Sequence, residues 1–429
     1  MTVRPPPART LPARALCALV VLCASLLTAC GGSGGDRTVT VLGSWTGAER
    51  EAFGAMLAGF ERETGIDVKY TGTRDARAVL ASELHDGHPP DTAVLANLGD
   101  LRAYAADGHL HPVGSASRGI AAALTTAAGP DGGRRPYGIV LKASVKSLLW
   151  YAPDTLPGGL AERLRDPSLT WDDLAAAVPG TADAPWCLGL EDTSQSGWPG
   201  TDWIEDLLLH LSGPEVYDAW VSGRLAWTSP EVRRAWREFG AVVRDAHGGN
   251  GGILLTGYGE AGHGMFADPP GCRFDHAGSF IPAFYAQAEG SPEPGRDFDF
   301  VPFPGRGTVE IGGDLLGMFR DTPAARRLVA YLTSEEAQRT WVERAGSGAY
   351  SLNRDIPPDD YPGDVPRRIA GLLAGAETVR FDASDSMPSV MAAAFNHAVL
   401  EYAADPADER LDAILTALDK VRRTTDFDA

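Results

Sequence analysis

The stretch VTVLGSWTGAEREAFGAMLAGFERETGIDVKY, residues Val39–Tyr70, contains the alternation that decides the fold. It opens on VTVLGS, whose β-branched and apolar residues are typical of a strand. Apolar residues then recur at i, i+3, i+4 and i+7: Phe53, Met56, Leu57 and Phe60. This spacing predicts a helix with one apolar face. Gly65 is a typical helix end, and IDVKY returns to a strand pattern, so the stretch predicts a β-α-β unit.

The same alternation continues along the chain. A helical pattern over Asp75–Leu84 precedes the strand-like DTAVL, Asp91–Leu95. This β-α-β-α-β order predicts a mostly parallel sheet with helices on both faces. The exported part of about 400 residues exceeds one ordinary hydrophobic core, so we expect two lobes.

The first residues have the pattern of a bacterial export signal. Arg4, Arg9 and Arg14 precede an apolar run, Ala15–Leu27, that is shorter than the about 20 residues needed to cross a bilayer. The tail LTAC resembles the lipobox of bacterial lipoproteins, in which Cys30 is lipidated. We therefore expect a signal peptide over 1–29 and a flexible Gly/Ser-rich tether over 30–37. A plain signal peptide with a chance cysteine is the alternative.

Composition limits the partners and predicts a cross-link. The formal net charge of −19 argues against nucleic acid or an anionic membrane surface as a partner, leaving the lipid anchor as the membrane contact. Once Cys17, Cys23 and Cys30 are assigned to the leader and anchor, Cys187 and Cys272 remain. In an oxidising compartment this pair predicts a disulfide, and two buried free thiols are the alternative.

Motifs for catalysis, cofactors and metals are weak. Outside the Gly/Ser-rich tether, whose GGSGG matches G-x-S-x-G only by composition, the chain has no G-x-S-x-G elbow, P-loop or H-E-x-x-H motif. Glycines 257, 259 and 262 form a G-x-G-x-x-G pattern, but Pro269-Pro270 leaves little room for the helix that a dinucleotide site requires. The pairs His85/His88 and His109/His111 are interpreted as surface histidines. We expect no cofactor, no metal site and no catalytic residue, although the many carboxylates leave a glycosidase pair open.

Polar and aromatic residues cluster at predicted strand ends. Trp45 follows the first strand, and Arg74 and Asp75 follow the second, at the edge where open α/β sheets bind ligands. Trp198 stands in a Gly-Trp-Pro turn before a predicted helix and is a candidate stacking platform, the alternative being a plug against its own lobe. Trp203 lies four residues before Leu207, and this spacing favours the core.

Several segments, in this order, resemble one protein family. They are SWTGAEREAF, HPPDTAVL, VKSLLWYAP, SGWPGTDWIEDLLL, GPEVYDAWVSG, PPGCRF, IGGDLLGMF, RFDASDSMP and AFNHAV. The mature chain is similar to bacterial extracellular solute-binding proteins of sugar-uptake ABC transporters (family 1 type), and within them to the alpha-glucoside-binding subgroup. The resemblance implies a two-lobed α/β fold of the type II periplasmic-binding-protein kind, with the ligand cleft between the lobes.

The resemblance also implies a division of the chain. Lobe 1 would comprise 38–145 plus 313–352, and lobe 2 would comprise 146–312 plus 353–429. KASVKSLLWY and EIGGDLLGMF would be the crossing segments. Where sugar-binding relatives often carry an aromatic after the Phe of the AF-x-x-AV helix, this chain has Asn396.

A sugar cleft needs planar polar groups for hydroxyls and aromatic rings for sugar faces. The candidate ligand-binding residues are Trp45, Arg74, Asp75, Trp198, Asp202, Asp314, Asp385 and Asn396. For Asp202, next to Thr201, the alternative is a structural role at a helix N-terminus. For Asp385 the alternative is a structural role in the turn before Pro388.

We expect a monomeric, lipid-anchored receptor on the extracellular face of the cell membrane. It would bind an oligosaccharide, an alpha-glucoside on the resemblance, and deliver it to the permease subunits of an ABC importer. A receptor for another glycoside or polyol, or a secreted lipoprotein glycosidase, are the alternatives.

Overall fold

A computed structural model of the chain describes residues 37–427 except 74, 179–183, 306 and 345–346. The predicted signal peptide, Cys30 and Arg74 therefore lie outside the described residues. Within the described ranges, no helix combines the length and apolar character that crossing a bilayer requires.

The opening β-α-β unit is confirmed. Strand β1 (Thr38–Gly43) leads into helix α1 (Gly47–Thr64), and strand β2 (Asp67–Gly72) pairs with β1 in parallel. The predicted apolar face of α1 is at most 5% exposed at each of its four positions. Gly65 ends the helix at φ 67°, a left-handed conformation that glycine adopts without steric cost.

The remaining elements follow in α/β alternation and then in helical stretches. The strands are β3 Thr92–Leu95, β4 Thr126–Ala128, β5 Arg134–Pro136, β6 Gly138–Val145, β7 Leu148–Tyr151, β8 Trp186–Cys187, β9 Phe274–His276, β10 Asp299–Pro302, β11 Thr308–Met318 and β12 Thr378–Phe381. The helices are α2 Ala76–His85, α3 Leu98–Ala106, α4 Gly119–Thr125, α5 Leu160–Leu164, α6 Trp171–Ala177, α7 Trp198–Ser212, α8 Pro214–Val221, α9 Pro230–Arg244, α10 Gly249–Ile253, α11 Tyr258–Ala261, α12 Pro282–Tyr285, α13 Pro323–Leu332, α14 Glu335–Val342, α15 Asp364–Gly375, α16 Ala383–Ser386, α17 Ser389–Ala404 and α18 Asp408–Thr424.

The first lobe is built on a six-stranded sheet of order β12-β11-β3-β1-β2, with β6 also paired to β11. Strand β1 pairs in parallel with β2 and β3, as predicted, whereas β11 runs antiparallel to β3 and β6. Val39 and Val41 pack into one core with α1, α13 and α14, while Leu42 packs into another core on the opposite face. Both faces of this sheet are thus covered, as alternating strand side chains require.

The second lobe contains a four-stranded sheet of order β10-β7-β9-β8 and a large helical core. In that core α7 packs against α8, α9 and α17. The predicted disulfide between Cys187 and Cys272 is confirmed, and it ties β8 to the segment that leads into β9. The fold is therefore a two-lobed α/β architecture, as predicted.

The two sheets are joined where β6 passes into β7. The Lys146 amide donates to the Glu310 carbonyl (2.8 Å), and the Glu310 amide donates to Ser147 Oγ (2.8 Å). Strand β12 pairs in parallel with β11 and so extends the sheet of the first lobe, although it lies in the part of the chain assigned to lobe 2. The lobe boundaries otherwise stay a prediction.

Candidate functional site

Asp314 and Lys142 face each other on the paired strands β11 and β6. The register shifts between Asp314 and Leu315, and such a bulge re-aims a side chain. Lys142 Nζ lies 3.2 Å from Glu49 Oε1, at the start of α1. Burial raises the pKa of the half-buried Asp314; Lys142 opposes this shift and Glu49 adds to it. These three residues form a charged floor on the first lobe.

Trp45 is near Asp314, but its aromatic ring is buried. Its ring is 2% exposed and packs edge-to-face against Phe53 and Trp341, with centroids 4.9 and 5.1 Å away. A hydrogen bond from Trp45 lowers the pKa of Asp314 against the effect of burial. Trp45 thus lies at the predicted strand end, but it supports Asp314 and offers no open ring face.

Asp385 lies in the short helix α16 and comes within electrostatic range of Asp314. Burial, then the charge of Asp382, raises the pKa of Asp385 well above its usual range, and Asp314 adds to this shift. Asp382 caps α16, because its Oδ1 accepts from the Asp385 amide (2.9 Å) and from Ser384 Oγ (2.8 Å). The fold therefore brings together two of the predicted carboxylates.

Lys146 connects the carboxylates to an aromatic group on the second lobe. Its Nζ lies 2.7 Å from Asp202 Oδ2, 3.2 Å from Asp382 Oδ2 and 4.8 Å from the centre of the Trp198 ring. Burial alone would lower the pKa of Lys146, but the surrounding carboxylates raise it well above its usual range, so the ammonium is charged. Asp202 is buried in this ion pair.

The aromatic group consists of Trp198, Tyr258 and Phe280. Trp198 is the first residue of α7, and its Nε1 donates to Asp192 Oδ2 (2.9 Å). Its ring meets Tyr258 at 4.9 Å and Phe280 at 6.1 Å. All three side chains remain partly exposed. Trp203, by contrast, is fully buried in the core, as predicted.

Asn396 lies beside the start of α7. Gly197 has φ 106°, and a Cβ there would come within 2.4 Å of the Asn396 carbonyl oxygen, so only glycine fits. Asn396 Oδ1 is buried without a hydrogen-bond partner among the described residues. Asp75 is exposed at the start of α2, away from the buried network, and its amide donates to Thr73 Oγ1 (3.2 Å).

Behind Lys146 lies a group of buried carboxylates: Glu205, Glu310 and Asp382. Glu205 accepts the amides of Ala383 (2.6 Å) and Ser384 (3.2 Å). Burial, followed by neighbouring carboxylate charges, raises the pKa of Glu205 and of Glu310 well above the usual range. This group is almost fully buried and lies behind Lys146.

The sequence did not predict five residues of the candidate site: Lys142, Lys146, Glu49, Tyr258 and Phe280. One signal could have found the lysines: the chain has four in all, and two stand in the KASVK segment of the predicted crossing. Tyr258 and Phe280 gave no such signal, because they lie in Gly/Pro-rich stretches of the kind that form surface loops.

An open groove of about 1290 Å³ lies elsewhere, on the first lobe. It is lined by 112–121, by α13 and α14 residues and by 351–355, and it includes none of the predicted site residues. The candidate site is therefore separate from this groove and is defined by its side-chain chemistry.

A two-lobed α/β fold with a charged group on the first lobe and a partly exposed aromatic group on the second has the architecture of a solute receptor. The chain belongs to the bacterial extracellular solute-binding protein family, whose model matches residues 44–339.

Two relatives match most of the chain. The osmoprotective compounds-binding protein GgtB of Synechocystis sp. is 34% identical over 391 residues, covering 85% of this chain and 89% of the relative. The alpha-glucosides-binding periplasmic protein AglE of Rhizobium meliloti is 31% identical over 379 residues, covering 83% and 81%.

Solved structures agree in fold. The bacterial solute receptor AcbH, described as exclusively preferring β-D-galactopyranose, superposes with a TM-score of 0.71 at 17% identity, covering 90% of this chain and 99% of that one. A chitin oligosaccharide binding protein gives 0.70 at 16% identity, covering 91% and 100%.

Proposed function

We propose that this chain is the lipid-anchored receptor of an ABC importer and that it binds an uncharged glycoside, in the first place an alpha-glucoside, between its lobes. The observation that carries the proposal is the position of Lys146, which lies 4.8 Å from the centre of the partly exposed Trp198 ring and acts electrostatically on the half-buried Asp385. Carboxylates accept hydrogen bonds from sugar hydroxyls, and an aromatic ring packs on the apolar face of a sugar.

The charge of the site favours a neutral ligand. Lys142 already pairs with Glu49 and Lys146 with Asp202, so neither lysine is left to neutralise an anionic ligand. An anionic sugar would lose its hydration in the site without gaining either lysine as a cationic partner. The names of AglE and GgtB support an alpha-glucoside or another osmoprotective solute as the ligand class.

Binding would act through lobe closure. A ligand that contacts both lobes has a higher affinity for the closed state, so it shifts the population toward that state, which the permease recognises. No bond need be broken, and the expectation of a binding protein without catalytic activity stays a prediction.

A ligand panel tests this function. We expect maltose, trehalose or sucrose to bind stoichiometrically by calorimetric titration and to raise the melting temperature, whereas trehalose 6-phosphate binds more weakly than trehalose. Sorbitol tests the polyol alternative. Appearance of glucose in the incubation would instead identify a glycosidase, and absence of binding by every neutral sugar and polyol would overturn the proposal.

The lipid anchor gives a separate prediction. Replacing Cys30 by alanine should release the protein into the medium or leave its precursor unprocessed, because the cysteine is the proposed lipidation site. Fractionation of cells with antibody detection measures this, with Cys17→Ala as the matched control that leaves anchoring intact. A mature, membrane-bound Cys30→Ala protein would show that the lipobox interpretation is wrong.

A further inference from the structure

We propose that Glu205, Glu310 and Asp382 bind one divalent cation of the oxygen-preferring class, such as calcium, between the segments that join the lobes. One carboxylate oxygen of each residue lies within 4.8 Å of the others. All three residues are at most 1% exposed. Oxygen atoms around a calcium ion lie 2.3–2.6 Å from it, so the observed spacing fits a shared coordination sphere.

Glu310 supplies the second observation. Both of its carboxylate oxygens are buried and have no hydrogen-bond partner among the described residues. Glu205 and Asp382, by comparison, accept hydrogen bonds from backbone amides of α16. A buried carboxylate without a partner is costly, and a cation is the partner that Glu310 lacks.

The charges around the cluster are not balanced by protein groups. Lys146 is shared between Asp202 and Asp382, while Asp206 is bound by His276 Nε2 (2.7 Å). Glu205 and Glu310 form no ion pair with a cationic side chain among the described residues. One divalent cation would offset both charges, and a donor set made only of carboxylates suits calcium, magnesium or manganese.

The ligands come from distant parts of the chain. Glu205 lies on α7, Glu310 on β11 and Asp382 directly after β12. A bound cation would cross-link the second lobe to the strands that join the lobes. The sequence predicts no metal site because these donors form no local motif; only the fold brings them together.

The test measures metal content and stability together. The protein is purified with 1 mM CaCl2 and without chelator, dialysed, and analysed by inductively coupled plasma mass spectrometry. We expect about one cation per chain. A second portion is unfolded in guanidinium and refolded with CaCl2 or with EDTA, and the calcium sample should melt roughly 3–5 °C higher at about 100-fold above Kd.

Glu310→Gln keeps the side-chain shape and should abolish both the retained cation and the calcium-dependent shift. Asp275→Asn is the matched control, because Asp275 is a buried carboxylate outside the cluster that accepts from Tyr285 (2.8 Å). If Glu310→Gln fails to fold, Glu205→Gln replaces it. Wild-type protein that retains no cation and melts equally in calcium and EDTA overturns the proposal and shows that protons neutralise the cluster. A shift that persists in the folded glutamine variant also overturns it.

Discussion

Replacing Trp198 by alanine is expected to raise the Kd for the best sugar of the panel about 30-fold, or about 2 kcal/mol. The apolar area that one face of a sugar ring buries contributes about 1 kcal/mol of binding free energy, and aromatic stacking contributes about as much again. The ring is held ready for this contact by Lys146 on its face and by Asp192 at Nε1. Calorimetric titration at a temperature where the variant is folded measures the loss.

Trp198 also contributes to packing, so affinity and stability must be measured separately. Its ring contacts Tyr258 and Phe280. Since it is only partly buried, truncation should cost roughly 1.5–2.5 kcal/mol of unfolding free energy, below the 3–5 kcal/mol of a fully buried ring. Trp203→Ala is the matched core variant and should show that larger loss.

Trp198→Phe separates stacking from anchoring. It keeps an aromatic face but loses the hydrogen bond to Asp192, so we expect an affinity between those of wild type and Trp198→Ala. Asp385→Asn tests the polar side of the same cleft, because it keeps shape and weakens one acceptor. Unchanged affinity in a well-folded Trp198→Ala protein would move the sugar site away from this turn.

The sequence predicts what is local in the chain. The β-α-β unit of Val39–Tyr70 follows from spacing within one segment, and the burial of Trp203 follows from its i, i+4 relation to Leu207. In both cases the deciding neighbours lie within a few residues. Short-range periodicity is therefore sufficient for these elements.

Side-chain direction at strand ends is less predictable. The rule that ligands bind beyond the carboxyl ends of strands places Trp45 correctly at the edge of the sheet. Trp341, nearly three hundred residues away in the chain, packs against its ring and directs it inward. A contact between residues so far apart in the chain cannot be predicted from the local sequence pattern.

The network around Lys146 shows the same limit. Its partners Asp202 and Asp382 come from α7 and from the segment after β12, so the ion pairs exist only once these distant segments have folded together. The predicted disulfide was an exception, because the count of cysteines left one pair and the export signal implied an oxidising compartment.

Removing that disulfide is expected to have the largest effect on stability. Cys187 and Cys272 are 85 residues apart in sequence. On the chain-entropy model, a closed loop of this length restricts the unfolded chain by about 4–5 kcal/mol, which corresponds to a fall in melting temperature of roughly 5–8 °C. Both cysteines are almost fully buried, so alanine adds only a small packing loss.

A double-mutant cycle distinguishes the cross-link from packing. If the cross-link dominates, Cys187→Ala, Cys272→Ala and the double variant should lose about the same free energy of unfolding, because either single change already removes the bond. Packing losses would instead add, giving a double variant less stable than either single one. Denaturant unfolding of the three variants measures this, with non-reducing alkylation of the native protein as the control. Two alkylated thiols in native protein would contradict the cross-link. Small losses that add in the double variant would instead assign these two residues to packing.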